Sequence, residues 1–234
     1  MSTKISAMHS GGRILARIMQ ELAQHAKPGV CLLELNNLAE KLIQEAGAEP
    51  SFKNYRDFPA ALCVCLNDEI VHCVPDNRQI KHGDLVKLDL GVKYQGYHTD
   101  MAVTVGQGRL VRVCKKALKR GLKKARAGNT TGDIGNTIQR FVESQGYSVI
   151  KELCGHGIGQ EVHMLPEIPN FGKRRKGDIL QQGQTICIEP MIAEKSGEMI
   201  KKGYGYATKD GSLSAHFEHT VLVLKNGYKI LTIA

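Results

Sequence analysis

The chain has 234 residues, of which 42% are hydrophobic and 24% are charged, and its formal net charge is +9. These fractions are typical of a globular protein, and the length allows one sizeable hydrophobic core, so we predict a single domain over residues 1–234. No apolar run approaches the roughly 20 residues of a membrane span, and the N-terminal stretch lacks the apolar core of a secretory signal, so we expect a cytoplasmic protein without membrane contact.

Two amphipathic helices are predicted first, over residues 8–25 and 33–46. Pro28-Gly29 ends the first helix and Gly47 ends the second, because these residues interrupt helical backbone. The apolar positions that share one face are Ile14, Leu15, Ile18 and Leu22 in the first helix and Leu35, Leu38, Leu42 and Ile43 in the second.

Strands follow in ALCVCLND and IVHCV, and the segment LVKLDLGVKYQGYHTDMAVTV, residues 85–105, alternates apolar and polar residues as a β-hairpin does. Acids lie inside both arms of this hairpin: Asp89 between Leu88 and Leu90, and Asp100 just before Met101. The seven cysteines are scattered and odd in number, and none forms a CxxC pair, so we predict reduced, mostly buried thiols rather than a disulfide framework.

A basic helix is predicted next, in CKKALKRGLKKARAG, with Val113, Ala117 and Leu118 facing inward. A second basic run is FGKRRKGD. A solvated surface explains both runs; the alternative is a weak electrostatic dock on RNA, for example on the ribosome. No aromatic residues alternate with these charges, so nothing indicates base stacking.

Another amphipathic helix is predicted in TTGDIGNTIQRFVESQG, and the remainder of the chain is predicted to form short strands and turns. The strand segments are QTICIEPMI, the glycine-rich GEMIKKGYGY, and HFEHTVLVL.

The sequence contains an internal repeat. IKHGDLVKLDL aligns without gaps with LQQGQTICIEP, which matches Asp89 with Glu189, and HTDMAVTV aligns with HFEHTVLV, which matches Asp100 with Glu218. We favour two related half-domains over chance similarity of short β segments, because the acid agrees in both pairs. Four carboxylates would then converge on one central site.

Four buried carboxylates would carry a charge of −4 and would repel one another strongly. Two divalent cations cancel that charge, whereas one cation leaves −2, so the count favours a dinuclear metal site. The segment GHGIG supplies a candidate nitrogen ligand, His156, and its glycines permit tight turns and close backbone approach. An oxygen-rich ligand set with one imidazole suits Mn²⁺, Fe²⁺ or Co²⁺, and Zn²⁺ is also compatible.

Five motifs together resemble type I methionine aminopeptidases of the M24 metallopeptidases: VHCVPD, LDLGVKYQGYHTD, GHGIGQEVHMLP, ICIEPMI and SLSAHFEHTV. The resemblance covers nearly the whole chain. It implies an α+β pita-bread fold, in which two pseudo-symmetric halves form a central antiparallel sheet that helices cover. It also implies that a water activated by two divalent cations removes the N-terminal methionine from nascent polypeptides, and that the protein is a monomer.

The resemblance also implies residue roles. Asp100 and Glu218 would bridge two cations, Asp89 would complete one site, and His156 and Glu189 would complete the other. Two histidines, His72 and His163, would contact the substrate, His163 would stabilise the oxyanion, and Glu189 would transfer a proton. The methionine pocket would be lined by Tyr55, Phe58, Cys63, His72 and Tyr204.

The chain departs from the family pattern near the site. Met164 lies where an acid usually follows the histidine, Tyr204 lies where tryptophan is common, and His216 lies where glutamine is usual. None of these changes removes a metal ligand, so the departures concern the shape of the substrate pocket.

Three other functions are compatible with parts of the sequence. An Xaa-Pro aminopeptidase of the same fold is the closest, although those enzymes usually carry an additional N-terminal domain. A catalytically inactive binding module of this fold would generally have lost metal ligands, whereas all five are present here. A nucleic-acid-binding protein is suggested by the net charge alone.

Overall fold

The computed structural model describes residues 3–234, and within them the chain forms four α-helices that pack on antiparallel strands. The helices are α1 (Thr3–His25), α2 (Leu32–Glu45), α3 (Arg109–Leu122) and α4 (Thr131–Ser144). All four had been predicted from hydrophobic periodicity, and α1 begins five residues earlier than predicted. None of the helices in the described part of the chain combines the length and apolarity that crossing a bilayer requires.

Short strands make up most of the rest, and a 3₁₀ turn, Tyr55–Asp57, precedes the second of them. The strands of the first half are β1 (Glu49–Pro50), β2 (Leu62–Leu66), β3 (Glu69–Val71), β4 (Val86–Tyr94) and β5 (Tyr97–Val105). The strands of the second half are β6 (Ser148–Val149), β7 (Cys154–Gly157), β8 (Met164–Pro169), β9 (Thr185–Ile188), β10 (Met191–Ala193), β11 (Met199–Lys202), β12 (Gly205–Thr208), β13 (Ser214–His216), β14 (His219–Leu224) and β15 (Gly227–Ile230).

Every pairing between these strands is antiparallel, and each half has its own sheet. The first sheet has the order β1-β4-β2, with β5 also paired to β4, and the other large sheet has the order β15-β14-β9-β7-β8. The remaining strands form two three-stranded sheets, with the orders β13-β10-β6 and β11-β12-β3. The β11-β12 hairpin therefore crosses over to β3 of the first half, which links the halves.

The hydrophobic core is divided in the same way. One cluster packs α1 and α2 on the first sheet and includes Leu15, Leu35 and Leu88. A second cluster packs α3 and α4 on the second sheet and includes Leu118, Ile138 and Ile186. The predicted inward positions Val113 and Ala117 of α3 are buried, as their helical spacing required.

The turns before β4 and β9 show that the two halves are related in structure as well as in sequence. Gly83 and Gly183 both have left-handed φ, +89° and +87°. Asp84 and Gln184 follow them, and each side chain accepts a hydrogen bond from the backbone N–H three residues earlier, at 2.8 and 3.1 Å. A side chain is strained at such a φ whereas glycine is not, so the aligned glycines mark equivalent turns.

The connections that lead into α2 and α4 are also equivalent. The N–H of Gly29 donates to the carbonyl oxygen of Ile80, and the N–H of Gly128 donates to that of Leu180, at 2.8 and 3.0 Å. Ile80 and Leu180 are aligned residues of the repeat. The repeat therefore extends back through the helices and is more than a chance likeness of two strands.

The two acid-bearing strand pairs differ in one respect. β4 and β5 are joined by a tight turn at Gln95-Gly96, in which both residues have positive φ, as hairpins favour. β9 and β14 are neighbours, but the excursion containing β10 to β13 separates them along the chain. Glu189 directly follows β9 and Glu218 directly precedes β14, so both acids lie at strand ends.

Candidate metal centre

The four predicted acids converge at the junction of the two halves. Asp89 on β4, Asp100 on β5, and Glu189 and Glu218 beside β9 and β14 all line a single cavity of about 500 Å³. All four are buried, with exposed fractions between 2% and 8%. The convergence that the sequence repeat predicted is therefore present.

Hydrogen bonds between β5 and residues 218–220 hold two of these acids side by side. The Thr220 hydroxyl accepts from the N–H of Asp100 and donates to the carbonyl oxygen of Asp100, both at 2.8 Å. The N–H of Glu218 donates to the carbonyl oxygen of Ala102 at 2.9 Å. Asp100 and Glu218 are therefore fixed by the contact that joins the halves.

Several carboxylate oxygens of the cluster have no hydrogen-bond partner among the described residues. They are Oδ1 of Asp89, Oδ1 of Asp100 and Oε1 of Glu218. Unpartnered buried acceptors are rare, and each costs free energy unless a donor or cation satisfies it. The donor set therefore fits the cations that the charge count predicted.

Without cations, the cluster favours protonated carboxyl groups. Burial raises the pKa of Asp100 well above its usual value, and the charges of Glu218 and Asp89 add to that effect. Burial is also the main reason that the pKa values of Glu189 and Glu218 are raised, and the charges of neighbouring acids raise both further. Burial raises the pKa of Asp89 to about 7. A positive ion in the cluster would reverse this preference.

His156 on β7 presents one nitrogen to the acids. Its Nδ1 is 2.9 Å from the carbonyl oxygen of Gly157, so Nδ1 carries the proton and Nε2 keeps its lone pair. Nε2 lies 3.5 Å from Oε1 of Glu189 and 4.0 Å from Oδ2 of Asp100. Burial lowers the pKa of His156 to about 4, so the ring is a neutral potential ligand.

The glycines around His156 serve close packing rather than turns. Gly155 and Gly157 lie within β7 and have no left-handed φ, so the predicted tight turns are wrong at these two positions. The predicted close approach is confirmed, because a Cβ atom would overlap the carbonyl oxygen of Cys187 at Gly155 and that of Leu165 at Gly157. Only glycine fits at either position without a backbone shift.

One group of side-chain atoms in the cluster is compact enough to hold a metal ion. Single atoms of Asp100, His156 and Glu218 lie within 4.8 Å of one another, together with Sγ of Cys187, and this set does not include Asp89 or Glu189.

Cys187 was not predicted at the site. Burial raises the pKa of its thiol well above the usual value, and the charges of Glu218 and Asp100 raise it further, so the ionised form that binds metals is disfavoured. Its place in β9, two residues before Glu189, is the only signal that the sequence offered.

The two predicted substrate histidines face the same cavity. His163 Nδ1 is 3.0 Å from the Tyr55 hydroxyl, and the His163 ring lies edge-on to His156 with 4.3 Å between centroids. Burial and the neighbouring His156 lower the pKa of His163 to about 3. His72 has a left-handed φ of +60°, a strained backbone for a residue with a side chain, and its ring is exposed to the cavity.

The predicted methionine pocket forms the apolar side of the cavity. Tyr55, Phe58, Cys63 and Tyr204 all line it, and the rings of Phe58 and Tyr204 meet edge-to-face with 6.2 Å between centroids. Lining residues that were not predicted are Phe52, Arg56, Val71, Lys201, Gly203 and Tyr206. Phe52, Val71 and Tyr206 each lie within three residues of a predicted one, but no sequence pattern marked them.

Comparison with known proteins gives the same family throughout. Residues 6–225 match the model of metallopeptidase family M24. The methionine aminopeptidase of Clostridium perfringens is 40% identical over 239 residues, which cover 98% of this chain and 96% of the relative.

Solved structures agree with the sequence relatives. The crystal structure of methionine aminopeptidase from Thermotoga maritima is similar with a TM-score of 0.97 and 37% identity, over 100% of this chain and 98% of that chain. An X-Pro aminopeptidase from the same organism has a TM-score of 0.78 and 22% identity, over 100% of this chain and 62% of that chain. The second likeness shows the fold alone, and both structures share the α+β pita-bread architecture described above.

Proposed function

The chain belongs to metallopeptidase family M24, among the methionine aminopeptidases, and on this basis we propose that its acid cluster holds two divalent cations. The function is hydrolytic removal of the N-terminal methionine from nascent proteins and peptides. The observation that carries the dinuclear proposal is the cluster itself: four buried carboxylates, three of them with unpartnered oxygens, around one neutral imidazole.

We assign five side chains to the cations. Asp100 and Glu218, side by side where the halves join, are the proposed bridging ligands. Asp89 completes one position, and His156 with Glu189 completes the other, which agrees with the 3.5 Å between these two side chains. Bound there, two divalent cations would lower the pKa of water and polarise the scissile carbonyl. Mn²⁺, Fe²⁺, Co²⁺ and Zn²⁺ all suit this ligand set.

His163 is the proposed donor to the oxyanion. Its Nδ1 accepts a hydrogen bond from the Tyr55 hydroxyl in the tautomer that carries the proton on Nε2. Since its pKa is lowered to about 3, the ring is neutral at physiological pH. Nε2–H is then available to the carbonyl oxygen of the substrate, where negative charge develops.

Glu189 and His72 complete the proposed catalytic group. Glu189 lines the cavity, with Oε1 3.5 Å from Nε2 of His156, so its carboxyl group lies beside the proposed metal site. We propose that it carries the proton to the leaving amine. His72, on a strained backbone at the cavity wall, would contact the peptide near the scissile bond.

The apolar wall of the cavity is the proposed methionine pocket. Phe58 and Cys63 are 9% and 3% exposed, and Tyr204 is 52% exposed, so the pocket is buried at one end and open at the other. An unbranched thioether side chain packs well against such aromatic rings.

A peptide-cleavage assay tests this function against its closest alternative. Metal-loaded protein should release methionine from Met-Ala-Ser and leave Xaa-Pro peptides intact, as measured by mass spectrometry. Cleavage of Xaa-Pro peptides with Met-Ala-Ser intact would make the protein an Xaa-Pro aminopeptidase. Cleavage of neither, together with failure to bind Mn²⁺, would favour an inactive binding module.

We also propose a weak electrostatic contact between the basic surface of α3 and ribosomal RNA. Lys116 and Arg120 project from α3 and lie over the ring of Phe141, at 5.6 and 4.4 Å from its centroid. These contacts hold the positively charged groups of the two side chains at the surface of the second half. A monomer in the cytoplasm would meet nascent N-termini at the ribosome, and both that state and that compartment are part of the proposal.

A further inference from the structure

His216 is a buried imidazole to which the proposed mechanism assigns no role. The residue is 1% exposed, and neither Nδ1 nor Nε2 has a hydrogen-bond partner among the described residues. Burial of an unpartnered polar group is rare in folded proteins because it forfeits the hydrogen bonds that water would make. The position of the ring therefore needs an explanation.

The backbone of His216 is firmly anchored. The Thr104 hydroxyl donates to the carbonyl oxygen of His216 at 2.7 Å and accepts from its N–H at 2.9 Å. This anchor places β13 against β5, directly behind the acid cluster. Both bonds are made by backbone atoms of His216, so they fix the point from which the ring projects.

The imidazole of His216 lies next to one carboxylate oxygen of Glu189, and the imidazole of His156 lies next to the other. Nε2 of His216 is 3.8 Å from Oε2 of Glu189, while Nε2 of His156 is 3.5 Å from Oε1. The terminal torsion of a glutamate is broad, so a small rotation brings Oε2 within hydrogen-bond distance of His216. One carboxylate oxygen thus faces the proposed metal site and the other faces His216.

We propose that His216 is a positioning residue, which donates a hydrogen bond from Nε2–H to Oε2 of Glu189 and directs Oε1 toward the metal site. This inference rests on the proposed metal centre. Ligand carboxylates are commonly held by such outer hydrogen bonds, and loss of one weakens metal binding. The donor is present whenever Nε2 carries a proton, so the role does not require a change of charge.

The test is Mn²⁺ binding by titration calorimetry to the full chain and to four variants. His216→Leu and His216→Met remove the donor, His216→Gln keeps an N–H donor, and His219→Leu is the matched control. His219 lies next to Glu218, but its Nδ1 contacts the Thr232 hydroxyl at 2.9 Å instead of the cluster. We expect His216→Leu to weaken Mn²⁺ binding about 10- to 100-fold, and His216→Gln to restore most of it.

A second readout separates positioning from structural support. His216→Leu removes an unpartnered polar group, so the metal-free variant should melt no lower than the wild type while binding Mn²⁺ more weakly. In the loaded enzyme, kcat should fall with little change in KM. His216→Met provides the same comparison if the leucine variant does not fold.

Three outcomes would overturn the role of His216. In the first, His216→Leu binds Mn²⁺ as tightly as the wild type. In the second, His216→Leu and His216→Gln weaken Mn²⁺ binding equally. In the third, His219→Leu weakens Mn²⁺ binding as much as His216→Leu does. Wild-type protein that binds no Mn²⁺ would overturn the metal centre itself, which distinguishes failure of the proposed function from failure of this inference.

Discussion

The hydroxyl group of Tyr55 lies 3.0 Å from Nδ1 of His163, and the same imidazole packs edge-on against His156. The histidine proposed to contact the substrate is therefore held on one side by the pocket and on the other by a candidate metal ligand. Arg56, whose guanidinium lies 5.3 Å from the centroid of the Tyr55 ring, lines the same cavity.

Removing this hydroxyl should slow catalysis. In Tyr55→Phe, His163 loses the partner that selects the tautomer with Nε2–H, so we expect kcat on Met-Ala-Ser to fall about three- to tenfold, the rate effect of one ordinary hydrogen bond. KM should change little, since the ring remains. Tyr228→Phe, on β15, is the control, and an unchanged kcat in Tyr55→Phe would show that the hydroxyl does not orient His163.

The metal-free protein should lose stability as pH rises from 7 to 8. Burial raises the pKa of Asp89 to about 7 and raises the pKa values of Asp100, Glu189 and Glu218 well above their usual range. The folded chain therefore keeps protons that the unfolded carboxyl groups have released above about pH 4. The stability contributed by these groups is present in full at low pH and is lost as pH rises through the folded pKa values.

The pH window matters because other groups titrate outside it. The pKa values of His156 and His216 are lowered to about 4 and about 3 by burial, so their contribution to stability is lost only below about pH 6.5. Burial lowers the pKa of Lys87 to about 8, so the contribution of Lys87 makes stability rise with pH above about 8. Thermal melts should show Tm falling between pH 7 and 8 without metal. If Mn²⁺-loaded protein shows the same fall, the carboxyl groups are not its cause.

The GHGIG segment offers a matched pair of glycine substitutions. Gly157→Ala places a Cβ against the carbonyl oxygen of Leu165 and should displace β7 and His156, lowering both Tm and Mn²⁺ affinity. Gly159→Ala meets only Met164 Sδ at 3.4 Å and Lys4 at 3.5 Å or beyond, ordinary contact distances, so its Tm should stay near that of the wild type. Equal effects of the two alanines would contradict the packing explanation for Gly157.

Contact with the ribosome should depend on salt. Co-sedimentation with ribosomes is expected to fall steeply as KCl rises from 50 to about 200 mM, because phosphate contacts release counterions. Lys116→Ala with Arg120→Ala should reduce binding at low salt without changing peptide cleavage. Binding that does not respond to salt or to these substitutions would exclude α3 as the contact surface.

Much of the fold was predictable because its signals are local or repeated. The hydrophobic faces of α1 to α4 follow helical periodicity, and the match of Asp89 with Glu189 and of Asp100 with Glu218 predicted their convergence before any contact was known. The resemblance to methionine aminopeptidases predicted the residues of a methionine pocket, and the structure places those residues around one cavity.

Other features depend on contacts between distant segments, which a local pattern does not encode. The sequence marked His216 only as a departure expected to affect the substrate pocket, whereas the residue does not line the cavity and lies beside Glu189. It reaches that position because β13 is bonded to Thr104 on β5, a contact between distant segments. The glycines of β7 were interpreted partly as turn residues, whereas their role comes from the carbonyl groups of Cys187 and Leu165 packed against them.

The most direct test of the central claim is the number of Mn²⁺ ions bound per chain, measured together with methionine release from Met-Ala-Ser after chelation and stepwise reloading. The metal centre described above predicts two bound ions, no cleavage in the metal-free protein, and loss of both tight binding and cleavage in Asp100→Asn. Cleavage that persists in the metal-free protein, or an Asp100→Asn variant that binds two ions as tightly as the wild type, would contradict it.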